Sequence, residues 1–531
     1  MRKRVAWIVL VGLAWGGTLH CAADSEMSPW FDAGTDGSTD APLESDIDVP
    51  TGDDIIIEGP ACNAGDLAAA LAAAHNGATV EIGSGCDIVG SFHVPAGVSL
   101  LGQTDTAGPP TLRSAPDDRR PVLTLRPSAT PTVVSNLQVV SSSNYGIVAL
   151  GSAGGALELK DSVVESTRGV GVGIETLATL QLTNLTLRGP HTATELRRAD
   201  PALADPDTMA THGLVVVRGG AVTIENLTIA GFAAIGGVLI DDDVTWSTGV
   251  LEGNGLAGLV THAGATRLTD VAITGLRSPH AIPLETTFDE TRSWTGPPTF
   301  GAVFLGGTAV TTNGVSVERG LHFGLAHAGG TATHDGLTVR GCGDTGVWAQ
   351  DVLSFGLRGT ADVPARLENN HFAGVMLYEP DTTVIADLEV IGTAYSCHGC
   401  GTLDEVRAGD GIQVVLPKTS VELRGVDLID NARIGLLLDM GGANLGGVTV
   451  VGLSVTGATT SFGALAQNAD SATTGWDDGV NRLDPFLSDN DRNLDGRLLP
   501  VGGRLPPKAF PAISRLTREG LVGLIDPDPP H

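Results

Sequence analysis

Short apolar runs separated by polar or glycine residues dominate the chain from about residue 132 to 470, and they recur in groups of three. The first run ends in Asn, Asp or Gly, the second follows directly, and the third begins with Gly, at intervals of about 21 to 28 residues. Val, Ile, Leu and Thr alternate within each run with a period of two, which predicts β-strands. The pattern therefore predicts three short strands in every repeat.

The residue between the first two runs is repeatedly one that tolerates left-handed backbone geometry, as tight bends require. It occurs as Asn136, Asp161, Asn184, Asn226, Asp270, Asn313 and Asp335. A repeat this short, with three strands stacked at about 4.8 Å, predicts a solenoid.

This repeat resembles the right-handed parallel β-helix of the pectin-lyase-like superfamily. The segment from Asp66 to Gln103 strengthens the resemblance, because the Ala-rich helix pattern DLAAALAAAHNG precedes the first strand as a cap-helix does there. The resemblance implies an all-β fold, a right-handed parallel β-helix solenoid of about twelve coils with an N-terminal capping α-helix. Residues 60–131 would form the cap and first coils, and residues 132–470 the repeats.

The N-terminus has the pattern of an export signal. Arg2, Lys3 and Arg4 precede an apolar run and then Cys21, which predicts a signal peptide over residues 1–20. The cysteine resembles the acylated residue of a bacterial lipobox, although His20 departs from that motif. The prediction is an outer-membrane or cell-surface lipoprotein; the alternative is ordinary cleavage and free secretion. Residues 21–59, acidic and without Lys or Arg, are predicted to be a disordered tether.

Composition narrows the range of partners. The formal net charge is −30, and aromatic residues make up only 4% of the chain. Nucleic acid is excluded, because phosphate binding needs clustered Lys and Arg. The partners expected are the membrane, through a lipid anchor only, and a glycan or surface-protein ligand.

An exported chain with six cysteines should form disulfides. Cys62 and Cys86 bracket the predicted helix and first strand and form the natural pair. Cys397 and Cys400 are predicted to form a local disulfide, which leaves Cys342 as a free thiol. A zinc site is the alternative, and its ligands would be Cys342, Cys397, His398 and Cys400.

Three intervals between Gly-led runs are too long, and each excess falls just before the third run. The insertions are 190–212, 277–300 and 393–410, and their equal phase predicts one shared rim on the solenoid. The alternative is that they are neutral surface loops. The candidate ligand-binding residues on this rim are His191, Arg198, His212, His280, Trp294 and Tyr395.

The third run carries a second feature. Its residue two places after Gly is mostly apolar, and its residue four places after Gly is often polar, as at His262 and Tyr378. Alternation points both outward, so an apolar stripe would need a cover of ligand, partner or C-terminal segment. The alternative is that inside and outside are reversed. Asp241 and Asp242 with His262 form the best candidate cluster of carboxylates and imidazole.

Other catalytic and metal signals are weaker. The paired Asp and Gly-His-Gly of polygalacturonases are absent, and three Asp at a strand end are also typical of a surface turn. Strand alternation predicts that His322, His327 and His334 are scattered. The segment 471–531 is acidic and Pro-rich and carries half of a calcium loop, although Gly502 stands where an EF-hand has Glu. The candidate calcium ligands are Asp489, Asp491, Asn493 and Asp495.

Together these patterns predict an exported, lipid-anchored cell-envelope β-helix that acts as a non-catalytic surface binding or scaffold module. The alternative is a polysaccharide-active enzyme, a lyase or hydrolase, that uses the loop-lined side of the solenoid. No cofactor other than calcium is predicted.

Overall fold

The structure is a computed structural model of the chain, and the description below covers the following residues. They are 55–59, 62–116, 118–142, 145–167, 169–190, 212–276, 298–320, 322–360, 363–398, 406–441, 448–457, 463–468, 482–483, 486–487, 499, 501–502 and 504–505.

The described residues contain one α-helix at the N-terminal end of the coils, as predicted, and it follows the short strand Ile55–Ile57. It spans Ala64–Ala73, and the Asn63 side chain caps it by accepting a hydrogen bond from the main-chain N–H of Asp66 at 3.0 Å. Leu67 and Leu71 point into the core with at most 2% exposure. The predicted Cys62–Cys86 disulfide is present, so the residue that precedes the helix is tied to the first coil.

The Gly-led runs form one parallel sheet, called the third sheet here. All twelve predicted strands are present, and three further strands outside the Gly pattern extend the sheet at both ends. The strands are Phe92–Val94, Leu123–Leu125, Tyr145–Leu150, Val170–Glu175, Leu214–Val217, Ile235–Ile240, Ala257–His262, Phe300–Leu305, Phe323–Ala328, Val347–Gln350, Phe372–Tyr378, Val406–Val415, Leu436–Asp439, Ala464–Gln467 and Phe486–Leu487. Ser396–His398 pairs antiparallel with Val406–Ala408 before the latter strand joins the sheet.

The first and second runs form two further parallel ladders, called the first and second sheets. Seven strands bend through both: Thr179–Arg188, Ala221–Ala230, Asp243–Glu252, Ala265–Thr274, Thr382–Ile391, Ser420–Ile429 and Val448–Thr456. The remaining strands of the first sheet are Ile55–Ile57, Thr79–Ile82, Ser99–Gly102, Thr132–Ser135, Ala156–Lys160, Ala309–Asn313, Thr331–Asp335 and Ser354–Arg358. Those of the second sheet are Asp87–Val89, Thr111–Arg113, Gln138–Ser141, Val163–Ser166, Ser316–Glu318, Thr338–Arg340, Ala365–Glu368 and Arg482–Leu483.

Every strand of these ladders pairs in parallel with its equivalent one coil away; Leu180, for example, pairs with Val222, and Val222 with Val244. The chain is therefore a right-handed parallel β-helix, which confirms the predicted fold.

Residues in the left-handed region form the bend between the first two sheets. Asn136, Asp161, Asn184, Asn226 and Asp270 have φ between 50° and 55°, as predicted. The prediction was wrong by one residue at two bends, where Asn313 and Asp335 remain in the strand. There Gly314 and Gly336 take φ of 63° and 61°, because glycine adopts this geometry without the Cβ clash that Asn and Asp must tolerate.

The interior of the coils is a continuous apolar core. Register stacks Leu182, Ile224, Trp246 and Leu268 in one column inside the first sheet, each at most 1% exposed. Burial of each such side chain contributes roughly 1.5–3 kcal/mol. Stacking of equivalent residues therefore makes each coil depend on its two neighbours.

Candidate functional site

The outward face of the third sheet is the most unusual surface of the β-helix, because it is apolar and yet buried. Ile147 and Ala149 belong to the interior core, whereas Val148 between them belongs to a second apolar cluster. The predicted inside and outside are therefore confirmed. The outward members of this stripe, each at most 1% exposed, include Val148, Val215, Val260, Val303, Trp348 and Met376.

A segment near the C-terminus covers part of this face. It is called the strap here and consists of the described residues 499, 501–502 and 504–505. Leu505 packs into the outer apolar cluster at 6% exposure. Gly502 lies so close to the sheet that a Cβ on it would be 2.9 Å from Met376 Cε and 3.0 Å from Phe372 Cε1. The cover expected for the stripe is therefore supplied, in this region, by the C-terminal segment.

Three glutamines on the outward face hold the main chain of the strap. Gln350 accepts from the Leu505 N–H at 3.0 Å and donates to the Leu505 carbonyl at 3.3 Å. Gln467 makes the same pair of bonds with Leu499, both at 3.0 Å. Gln413 accepts from the Gly502 N–H at 3.0 Å. The side-chain amides thus bind main-chain groups of the strap as the edge of a β-strand would, and these bonds do not depend on the side chains of the strap.

Charged groups fasten the strap at the edge of the sheet. Arg504 forms an ion pair with Asp351. Lys418 lies 3.9 Å from Asp351 and 3.5 Å from Glu379, so it belongs to the same group. These side chains are partly exposed, so the Arg504–Asp351 pair stabilises the strap by at most about 1 kcal/mol.

A buried ion pair lies at the opposite edge of the third sheet, where its strands begin. Arg433 Nε donates to Asp410 Oδ1 at 2.7 Å, and Arg433 Nη1 donates to the Arg407 carbonyl at 3.0 Å. The Asp410 side chain is fully buried and that of Arg433 is 7% exposed. Burial raises the pKa of the Asp410 carboxyl, and the Arg433 guanidinium opposes that rise.

The structure separates the predicted carboxylate cluster. Asp241 takes left-handed geometry at the surface, and its Oδ1 lies 3.9 Å from His262 Nδ1. Asp242 turns inward, where its carboxylate accepts the Gly219 N–H and, at 3.1 Å, the Ile240 N–H. Burial raises its pKa to about 7, and these two bonds oppose the rise. The two carboxylates therefore do not face a common reacting atom.

His212 is buried near the start of a third-sheet strand, where the main chain of Ile235 hydrogen-bonds it. Burial lowers its pKa to about 4, so the imidazole is neutral at pH 7. His212 and Asp242 lie at opposite ends of the third sheet, because one precedes the strand and the other follows it, about 20 Å apart at ~3.3 Å per residue. They do not form one catalytic site.

The prediction that the three histidines are scattered was wrong for two of them. His327 Nε2 and His334 Nε2 are 2.9 Å apart inside the core, and Thr312 Oγ1 is 2.8 Å from His334 Nδ1. Phe304 stacks on the His327 ring. His322 is elsewhere, and its Nδ1 accepts the Thr299 N–H at 2.9 Å.

Sequence reasoning missed a polar group at the corner before the third sheet. Asp344 is fully buried, and its carboxylate accepts the Thr345 hydroxyl at 2.8 Å. Burial lowers the pKa of the nearby His371. A hydrogen bond with the main chain of the candidate Tyr395 and the charge of Asp344 both oppose that fall. The signal was available, because Asp344 and His322 each stand two places before a repeat Gly.

Tyr378, another candidate, is half-buried beside the outer apolar cluster, and Tyr395 is 37% exposed. Cys342 is a buried free thiol, as predicted. The remaining candidates fall outside the described side chains: Cys21, His191, Arg198, His280, Trp294, Cys397, His398, Cys400, Asp489, Asp491, Asn493 and Asp495.

Within the described ranges, no three His, Cys, Asp or Glu side chains are grouped as ligands for one metal ion. No helix in that part of the chain has the length and apolar character needed to cross a bilayer.

No family model matches the chain, and no curated protein matches it in sequence. Among solved structures, an alginate lyase from Paenibacillus sp. FPU-7 is similar with 13% identity, a TM-score of 0.32 and coverage of 63% of this chain and 97% of that one. Tailspike protein 3 of bacteriophage CBA120 has 12% identity, a TM-score of 0.29 and coverage of 69% and 54%. A mannuronan C-5 epimerase A-module from Azotobacter vinelandii has 13% identity, a TM-score of 0.22 and coverage of 70% and 86%.

Proposed function

We propose that the protein is an exported β-helix, attached to the cell envelope through Cys21, that serves as a non-catalytic surface-binding or scaffold module. The basic and apolar leader followed by Cys21 supports export and anchoring. The acidic segment behind it supports a spacer between the membrane and the β-helix.

The proposal of a non-catalytic role depends on how the third sheet is covered and on how the candidate carboxylate Asp242 is bound. The strap occupies part of the third sheet, and main-chain N–H groups already engage both oxygens of Asp242, the most strongly perturbed carboxyl among the candidates. A general acid or base must reach the substrate, and Asp242 is only 3% exposed, so its burial favours a structural role for this residue.

The first sheet offers a flat polar face on which a ligand could lie. Register places Thr223, Thr245, Arg267 and Thr311 in one outward column, and all four side chains are exposed. Hydroxyl and guanidinium groups that repeat about every 4.8 Å present donors and acceptors to a repeating polar polymer. A glycan therefore suits this face better than an apolar peptide does.

A glycan array probed with the full chain tests this function. We expect saturable binding without turnover, and we expect Thr245→Val, which keeps the shape of the side chain and removes its hydroxyl, to weaken binding several-fold. Thr228→Val on the second sheet is the matched control and should leave binding unchanged. Equal loss in both variants, or no binding to any glycan, would contradict the proposal.

The second candidate is a polysaccharide-active enzyme, and the buried Asp344, whose charge acts on His371 at the insertion-bearing corner, favours it. Release of shortened or unsaturated sugars from a polysaccharide panel, abolished in His371→Ala, His212→Ala or His280→Ala, would establish this function in place of the binding module.

Anchoring has a separate test. Palmitate labelling of cells that express the chain should be lost in Cys21→Ser and retained in Cys342→Ser. Label that persists in Cys21→Ser would contradict anchoring through Cys21, and an unlabelled native chain would indicate free secretion.

A further inference from the structure

The outward apolar stripe of the third sheet extends well beyond the described strap. Val148, Val215, Val238, Val260 and Val303 are at most 1% exposed, although they lie on coils before Gln350, where the described strap ends. An apolar stripe on an outward face is excluded from water only when something lies on it. The occupant of these earlier coils can be inferred from the geometry of the strap.

The strap runs along the solenoid axis as fully extended chain. Leu499 is bound at Gln467, Gly502 at Gln413 and Leu505 at Gln350. Successive anchors are two coils apart. The strand of Gln350 pairs with that of Tyr378, which pairs with the strand of Gln413. The strand of Gln413 pairs with that of Asp439, which pairs with the strand of Gln467. Three residues thus cover about 9.6 Å at ~4.8 Å per coil, or about 3.2 Å per residue, the rise of extended chain. The strap advances toward the N-terminal coils.

We propose that residues 506–516 continue the strap and fill this face from the coil of Ala328 to the coil of Val148. Seven coils separate Gln350 from the strand that holds Val148, which is about 34 Å at ~4.8 Å per coil. About eleven residues of extended chain span that distance. The chain continues for 26 residues after Leu505, so its length is sufficient.

The sequences of the face and of the segment change character at the same point. Under the strap, Gln350, Gln413 and Gln467 lie among apolar outward residues such as Trp348 and Met376, and they bind main-chain N–H and carbonyl groups. Before Gln350 the same two columns are mostly apolar, and residues 506–516 read PPKAFPAISRL. Prolines have no N–H for a glutamine to accept and favour extended geometry. The part of the face without glutamines therefore matches the proline-rich part of the segment.

The third sheet is, on this basis, a binding groove for an extended apolar peptide, and the chain supplies the peptide itself. The binding surface left for an external ligand is then on the first sheet or the insertions, and this conclusion does not depend on the ligand being a glycan.

Cross-linking in the full chain tests the proposal. Phe510 should lie over the strands Ile235–Ile240 and Ala257–His262, because five extended residues beyond Leu505 cover about three coils. p-Benzoylphenylalanine placed at Phe510 should cross-link, on irradiation, within residues 235–240 or 257–262 of the same molecule. Cross-links to the first or second sheet, to residues 277–297, or only between molecules would overturn the proposal.

Truncation gives a second, matched readout. A chain that stops after Leu505 should bind several-fold more of the dye anilinonaphthalene sulfonate than the full chain, whereas a chain that stops after Leu516 should match the full chain. A synthetic peptide of residues 506–516 should reverse the increase. Equal dye binding by the two truncated chains would show that another segment covers the face, and cross-linking remains decisive if the shorter chain does not fold.

Discussion

At the scale of single residues, burial decides which side chains carry chemistry and which carry structure. The core holds His327 and His334 as a neutral pair, since burial lowers the pKa of both, to about 4 for His334. Asp242 shows the reverse effect, because burial raises its pKa to about 7. Both effects arise because the charged form is poorly solvated inside the β-helix, and they give stability a pH dependence of predictable sign.

The histidine pair should destabilise the fold in acid. The unfolded chain takes up protons below the ordinary histidine pKa of 6.5, whereas folded His334 resists them until about pH 4, so stability falls as pH falls from 6.5 to 4. The loss attributable to His334 is roughly 3 kcal/mol at pH 4. Between pH 7 and pH 4.5, the Tm of the double variant His327→Leu with His334→Leu should fall less than the Tm of the native chain. His75→Gln, an exposed control, should behave as native; equal slopes in all three chains would refute the assignment.

Asp242 should act in the opposite direction. The folded state holds a proton that the unfolded state has already lost, so its contribution to stability falls as pH rises from about 4 to about 7 and is fully lost above that. Asp242→Asn keeps an oxygen for the Gly219 N–H and has no charge to bury. The Tm of Asp242→Asn relative to that of the native chain should therefore rise with pH. The corresponding change in the free energy of unfolding is on the order of several kcal/mol. A constant difference between pH 4 and pH 8 would contradict this.

At the scale of elements, stacking in register couples residues far apart in sequence. The second sheet carries a continuous row of opposite charges in which Arg340 contacts Glu318 and Glu368, and Arg366 contacts Glu368 and Glu389. On the third sheet the glutamines bind a segment up to 155 residues away. These long-range contacts place side chains where no local pattern indicates them.

The Asp410–Arg433 pair joins two consecutive strands of the third sheet. Arg433→Leu would leave the fully buried Asp410 carboxylate without its partner, and we expect a loss of about 3–5 kcal/mol in the free energy of unfolding. Asp410→Leu with Arg433→Leu should recover most of that loss. Denaturant titration of the three chains measures both values, and a single variant no less stable than the double would contradict the expectation.

The glutamine contacts should control how tightly the strap is held. Gln350→Leu removes two hydrogen bonds to Leu505, worth about 1 kcal/mol each. Amide exchange at Leu505 should therefore accelerate about 30-fold. Gln103→Leu, which removes a contact to Glu81 far from the strap, is the control. No acceleration in Gln350→Leu would mean that apolar packing alone holds the strap.

At the scale of the whole molecule, the periodic features were predictable and the non-periodic ones were not. Gly-led runs gave the third sheet, because glycine at Gly146 or Gly258 lets neighbouring coils approach closely at the corner. The covered stripe followed from alternation within each strand. The contact between His327 and His334 was not predicted, because His327 is on the third sheet and His334 is on the first. They meet across the interior of the coil, which no local pattern indicates.

A solenoid should also lose stability from its end, and the capping helix offers the test. Leu67 is fully buried between the helix and the first coils, whereas Ala69 on the same helix is exposed. Leu67→Glu places a charge against the core end, so hydrogen exchange should accelerate at Thr79–Ile82 and Phe92–Val94. It should remain unchanged at Phe323–Ala328, because each coil contacts only its neighbours. Ala69→Glu should alter neither region. Uniform acceleration in all coils of Leu67→Glu would instead show that the β-helix opens as one cooperative unit.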